Sequence, residues 1–300
     1  MKAVWSFWSK PYFAGRKSCW ASETHHWLSW VLSLETARRH YSETCLYTDS
    51  KGADILVDRL GLKFSQFSTD LDALADEDPG WWSLGKLYTY SVQQEPFVHI
   101  DSDVYLWKRL PEHIESADVF AQNPEPFPEL GDLCYRPECV DRAFQAAGGW
   151  LPEEWHWYRQ RLSRQRGECC GIFGGQRTDF IRHYANQALR LALDRANDSA
   201  WNALGNRAEH MTLVEQYLLA ACVEFHCVDT ASAFNPIQIR YLFDSISQAF
   251  RPEAATRVGF THLIANAKTN QTVAARLEDR VKLYYPEHFA CCRQYTRMPC

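Results

Sequence analysis

The segment PFVHIDSDVYLW (96–107) places two carboxylates, Asp101 and Asp103, where one short apolar run ends and another begins. Two residues apart in extended chain, their side chains point to the same side. Close carboxylates repel unless something positive lies between them. A hard divalent cation, Mn²⁺ or Mg²⁺, meets that need, because it takes one or two carboxylates and completes its shell with water and phosphate oxygens. Neutral imidazole also binds Mn²⁺, so His262, arriving late in the chain, is a third candidate ligand. The expected metal ligands are Asp101, Asp103 and His262, and Ser102 lies in the same cofactor-binding stretch.

Other residues stand where a phosphate or sugar can be met. Lys86 lies on the helix expected just before the metal strand. It either reaches a phosphate or sugar of a bound ligand, or is an ordinary exposed helix lysine. Asp49 closes an early strand, TCLYTD, and either touches a base or ribose or caps the helix that follows. Gly174 and Gly175, in GIFGG, let backbone approach a bulky ligand, or form a bulge before a helix near Thr178.

The D-S-D segment resembles that of GT-A-fold glycosyltransferases, which transfer a sugar from a nucleotide-sugar donor. CCGIFGGQRTDFIRHY is similar to the F-G-G segment of the blood-group α-galactosyltransferases, and RAEHMTLVEQYLLAAC to the stretch downstream of it. His262 and Lys268, six residues apart, match the H-x-x-G-x-x-K segment of glycogenin-type enzymes, with Ala265 where that family has glycine. The resemblance implies that Asp101, Asp103 and His262 hold Mn²⁺ or Mg²⁺, that Lys268 contacts the diphosphate, and that the donor is a nucleotide sugar, a UDP-sugar foremost. It leans towards retention of anomeric configuration. On this reading Glu215, with Gln216 beside it, is the candidate near the anomeric carbon, and Glu209 and His210 are alternatives. On a helical wheel Glu215 lies at the flank of an apolar face, within reach of a cleft edge.

The elements that must position these groups follow from periodicity. Runs at 3–8, 44–49, 63–68, 96–100 and 117–122 read as strands. Between them, segments near 19–40, 53–62 and 81–92 carry helical spacing. Strands alternating with helices predict an α/β fold with a mostly parallel central sheet flanked by helices, GT-A-like by the resemblance. Helices are expected from Thr178 to about Asn197 and from about Ala208 to Cys222. The expected organisation is one domain over 1–300: a nucleotide-binding half (1–122), an acceptor and donor-sugar half (123–270) and a C-terminal extension (271–300). Trp150, Trp155, Trp157 and Arg159 offer an acceptor rim or simple packing.

Composition narrows the class. A formal net charge of −5 argues against a nucleic-acid binder held by bulk electrostatics. The sequence contains neither an apolar run of membrane-spanning length nor a signal-peptide pattern at its start, so the expected location is cytoplasmic. The 11 cysteines contain no C-x-x-C pair, which argues against a closed zinc site, and the tail CCRQYTRMPC is either a redox or metal-binding tail or a solvated end. The rivals to transfer are a nucleotide-sugar binder without transfer and a cysteine-rich interaction protein. The acceptor, whether peptide, protein, lipid or glycan, stays open.

Overall fold

A computed structural model describes residues 1–15, 19–126, 136–161 and 165–297. The chain is α/β and divides into two compact units. The first comprises Met1–Pro79, Val98–Pro111 and Pro252–Cys300, and the second Gly80–Phe97 and Glu112–Arg251.

The strands of the first unit are β1 (Lys2–Phe7), β2 (Thr44–Thr48), β3 (Gln66–Ser68), β4 (Phe97–Ile100, of which Val98–Ile100 belong here) and β5 (Val104–Leu106). The second unit contributes β6 (Val119–Ala121), β7 (Pro124–Pro126), β8 (Arg166–Glu168), β9 (Ile172–Gly175) and β10 (Ile239–Tyr241). The chain then returns to the first unit with β11 (Phe260–His262).

In the first unit the order is β4-β1-β2-β3, with β1, β2 and β3 parallel. Ala3, Val4, Trp5 and Leu46 are fully buried, as expected of parallel strands covered on both faces. The Glu23–Ala37 helix supplies one cover. Ser22 caps it, accepting from the His25 N–H, and Trp27, Leu28, Val31 and Leu34 are buried along it. It begins four residues later than its periodicity suggests, because the cap fixes the start. The helices Gln271–Tyr284 and Pro286–Tyr295 pack against it, so the C-terminal segment is helical, with Cys292 buried.

In the second unit β10 and β6 are parallel and β9 is antiparallel to β6. Of the pairings β1–β2, β2–β3, β6–β10 and β6–β9, three are parallel and one is reversed, while β5–β11 and β7–β8 form separate antiparallel pairs. The Leu84–Ser91 helix packs on the Thr178–Leu193 helix, and Glu153–Arg159 on Leu218–Val228. The helix expected from Ala208 to Cys222 forms differently. Residues Leu213–Tyr217 are wound wide, as a π-turn, and regular α-helix runs only over Leu218–Val228. Among the described residues no helix is long and apolar enough to cross a membrane.

The nine described cysteines are free thiols. Cys134 and Cys300 lie outside the described residues.

Candidate functional site

The D-S-D residues form a turn between β4 and β5, not extended chain, with Val104 N–H donating to Asp101 O at 3.0 Å. The shared side of the two carboxylates therefore comes from the turn. One face of the Glu23–Ala37 helix holds it. Ser29 donates to Ser102 O at 2.7 Å, and Ser33 donates to Asp101 O at 3.0 Å while accepting from Trp5 Nε1. Thr36 Oγ1 accepts from Leu106 N–H at 3.1 Å. Positions 29, 33 and 36 recur at i, i+4 and i+7, so one stripe of hydroxyls grips the segment 101–106. Each such bond contributes about 1 kcal/mol.

His262 is delivered by register. β11 runs antiparallel to β5, pairing His262 with Val104, and Leu263 N–H extends the ladder to Asp103 O at 3.0 Å. The turn that starts this ribbon needs Gly259, whose φ is +73° and whose missing Cβ leaves room for the Lys108 side chain.

The result is a cluster in which one ligand atom each from Asp101, Asp103 and His262 lie within 4.8 Å of one another. His262 Nε2 is 3.4 Å and Lys268 Nζ 2.5 Å from the Asp103 carboxylate. Asp103 Oδ1 is buried and, among the described residues, has that long His262 contact but no well-formed hydrogen bond. Burial alone pushes the Asp103 carboxyl up. The charges of Lys268 and His262, with their hydrogen bonds, outweigh it and hold the group below the usual carboxylate range. Behind Asp101 stands buried His99, with Nδ1 3.7 Å from Asp101 Oδ1 and Nε2 2.9 Å from Ser6 Oγ. Two carboxylates, an imidazole and an under-satisfied buried oxygen fit a hard divalent cation such as Mn²⁺ or Mg²⁺.

Lys268 is positioned by its own turn. Its carbonyl accepts from Ala21 N–H at 3.0 Å, and its ammonium lies 5.6 Å from the Trp20 ring. The turn begins at Ala265 with φ of +47°, the left-handed region that favours glycine. The alanine is thus accommodated at a conformational cost. Ala265→Gly is expected to raise unfolding free energy by about 1 kcal/mol, read by urea denaturation. An unchanged or lower midpoint would contradict that.

The family model for DUF6734, a family of unknown function, matches residues 1–295. The chain belongs to this family. A comparison with curated proteins finds no match.

The remaining candidates of the DUF6734 chain are held as follows. Asp49 caps a short helix, its oxygens accepting from Ser9 N–H at 2.8 Å and Gly52 N–H at 2.7 Å, which is the capping alternative in the sequence. In the second unit Lys86 is not an exposed helix lysine. Its ammonium is 2.7 Å from Glu215 Oε1 and donates to Cys170 O at 3.3 Å. Glu215 is fully buried, not at a helix flank. The wheel assumed α-winding throughout, and the wide turn at 213–217 rotates the residue inward. Gln216 beside it is half-buried. Gly174 and Gly175 lie in β9. Gly175, at φ of +151°, is pressed against the backbone of Asp118 and Val119, so the close approach seen there is to the chain itself.

Of the aromatic segment, Trp155 is core, donating to Asp141 at 2.7 Å. Trp150 and Arg159 line a cavity of about 500 Å³. Arg159 is engaged by Asp141 and Gln165. Ser29, Ser33, Thr36 and His99 carry no motif in the sequence, and the hydroxyl spacing on an otherwise apolar helix is the available signal.

Proposed function

We propose that the DUF6734 chain is a metal-dependent glycosyltransferase of GT-A-like fold. It moves a sugar from a nucleotide diphosphate sugar, a UDP-sugar foremost, to an acceptor hydroxyl with retention of configuration. The observation that supports this is the meeting of Asp101, Asp103 and His262, with Lys268 on Asp103, at the carboxyl end of β4. Open α/β sheets take their ligands at such ends.

Asp101, Asp103 and His262 would hold Mn²⁺ or Mg²⁺, which when bound supplies electrostatic stabilisation of the departing diphosphate. The chain's own part is positioning. The hydroxyl stripe fixes the turn, β11 fixes the imidazole, and Lys268 brings a second positive charge for the phosphate oxygens. Ser102 contributes its backbone, locked by Ser29. Asp49 shapes the end of β2. Glu215, with Gln216 beside it, is held in the second unit as a buried pair with Lys86.

The test is a panel of nucleotide sugars with Mn²⁺, scored for nucleoside diphosphate release alone and with an acceptor panel. One donor is expected to be hydrolysed slowly, to be consumed faster with its acceptor, and to be spared under chelation. Nucleoside diphosphate binding with no donor ever consumed would leave a binder without transfer.

A further inference from the structure

We propose that Glu154, His183 and His226 form a second metal site, distinct in residues and chemistry from the aspartate cluster, that takes a zinc-like transition-metal ion. The three come from three helices of the second unit: Glu153–Arg159, Thr178–Leu193 and Leu218–Val228. Glu154 Oε1 is 2.7 Å from His183 Nε2 and 3.2 Å from His226 Nε2, and the two imidazole nitrogens are 3.3 Å apart. Ligand atoms around a tetrahedral zinc, with bonds of about 2.0–2.1 Å, stand roughly 3.3 Å apart. Two of the three edges already have that length, and only the shortest must open.

The hydrogen bonding points the same way. Both imidazoles aim at one oxygen of Glu154, while Oε2 is buried with no hydrogen-bond partner among the described residues. Glu154 is 3% exposed, so this is an unsatisfied carboxylate oxygen deep in the unit. A purely hydrogen-bonded cluster would spread two donors over two acceptors. A cation shared by Oε1 and both Nε2 atoms removes the crowding.

The surroundings also suit a metal. His226 Nδ1 is 2.6 Å from Ser232 Oγ, which also accepts from Phe234 N–H at 3.1 Å. Nδ1–H donating to Ser232 leaves the Nε2 lone pair free to ligate, the second-layer support usual for metal-bound histidine. Phe180, Phe225 and Phe234 pack around the imidazoles and exclude water from one side. His183 is about a quarter exposed, so a fourth position can be reached by water or an exogenous ligand. Two imidazoles and one carboxylate favour Zn²⁺, Co²⁺ or Ni²⁺ over Mg²⁺. The proposal does not depend on sugar transfer.

The test uses the full chain, stripped with chelator and titrated with Co²⁺ while visible d–d absorption is followed, then with Zn²⁺ in competition. One equivalent of Co²⁺ is expected to give a band that Zn²⁺ displaces. The band should persist in Asp101→Asn/Asp103→Asn. Affinity should fall about 100-fold in His183→Ala and in His226→Ala, and about 10-fold or more in Ser232→Ala, with circular dichroism unchanged. His183 is partly exposed, so its replacement keeps the fold as a check on the buried His226. Absence of a Co²⁺ band in Asp101→Asn/Asp103→Asn, or its survival when His183→Ala or His226→Ala is added to that background, would overturn the assignment.

Discussion

Asp103→Asn is expected to weaken Mn²⁺-dependent UDP binding by about 100-fold, or about 2.7 kcal/mol. The substitution keeps the side chain's size and one carbonyl oxygen but removes the charge. It also turns an amide towards Lys268, whose ammonium now lies 2.5 Å from the carboxylate. A cation at this position then faces one carboxylate fewer and an unneutralised lysine. His99→Ala, which removes support behind Asp101 and leaves the ligand in place, is expected to cost about tenfold. Calorimetric titration of UDP with and without Mn²⁺ separates the two. Equal Mn²⁺-dependent affinity in wild type and Asp103→Asn would contradict the assignment.

Arg166→Leu is expected to destabilise the second unit strongly and in a pH-dependent way. The guanidinium donates to Glu168 at 2.9 Å, Glu224 at 2.8 Å and Tyr241 at 3.1 Å, and its backbone is tied to the Tyr158 hydroxyl. Glu168 is fully buried, and burial pushes its carboxyl up to about 7 against the pull of Arg166 and Tyr241. A carboxyl raised in the folded state binds its proton more tightly there than when unfolded. Its contribution to stability is therefore present below the unfolded value and lost as pH rises towards 7. Removing Arg166 strands the charged form, at a cost of about 3–5 kcal/mol near pH 8. At pH 5 Glu168 is neutral in both proteins, and the loss is confined to hydrogen bonds and the partly exposed Glu224 ion pair, about 1–2 kcal/mol. Urea denaturation at the two pH values reads the difference. A loss that is independent of pH, or larger at pH 5, would show that Glu168 does not set it.

The parts of this chain legible in sequence are those where chemistry is local. Apolar β1, β2 and β4 announce themselves because strands covered on both faces need continuous hydrophobic runs. The Asp101–Asp103 spacing is likewise a feature of a few consecutive residues. The turn that holds it was not visible, since its geometry depends on hydroxyls some seventy residues earlier, at Ser29, Ser33 and Thr36. Burial of Glu215 was hidden by a local change of helical winding that a wheel cannot represent. Short strands such as β5 and β11 carry too few residues for a period, yet their register delivers His262. The Glu154–His183–His226 cluster has no sequence spacing at all, because three separate helices bring it together.

Anomalous scattering from Mn²⁺ in crystals grown with Mn²⁺ and UDP locates the cation. A peak is expected bonded to Asp103 and His262, with Asp101 in or next to its shell and Lys268 turned towards the diphosphate. A peak confined to other residues, or none at the aspartate pair with UDP bound, would contradict the proposed metal site.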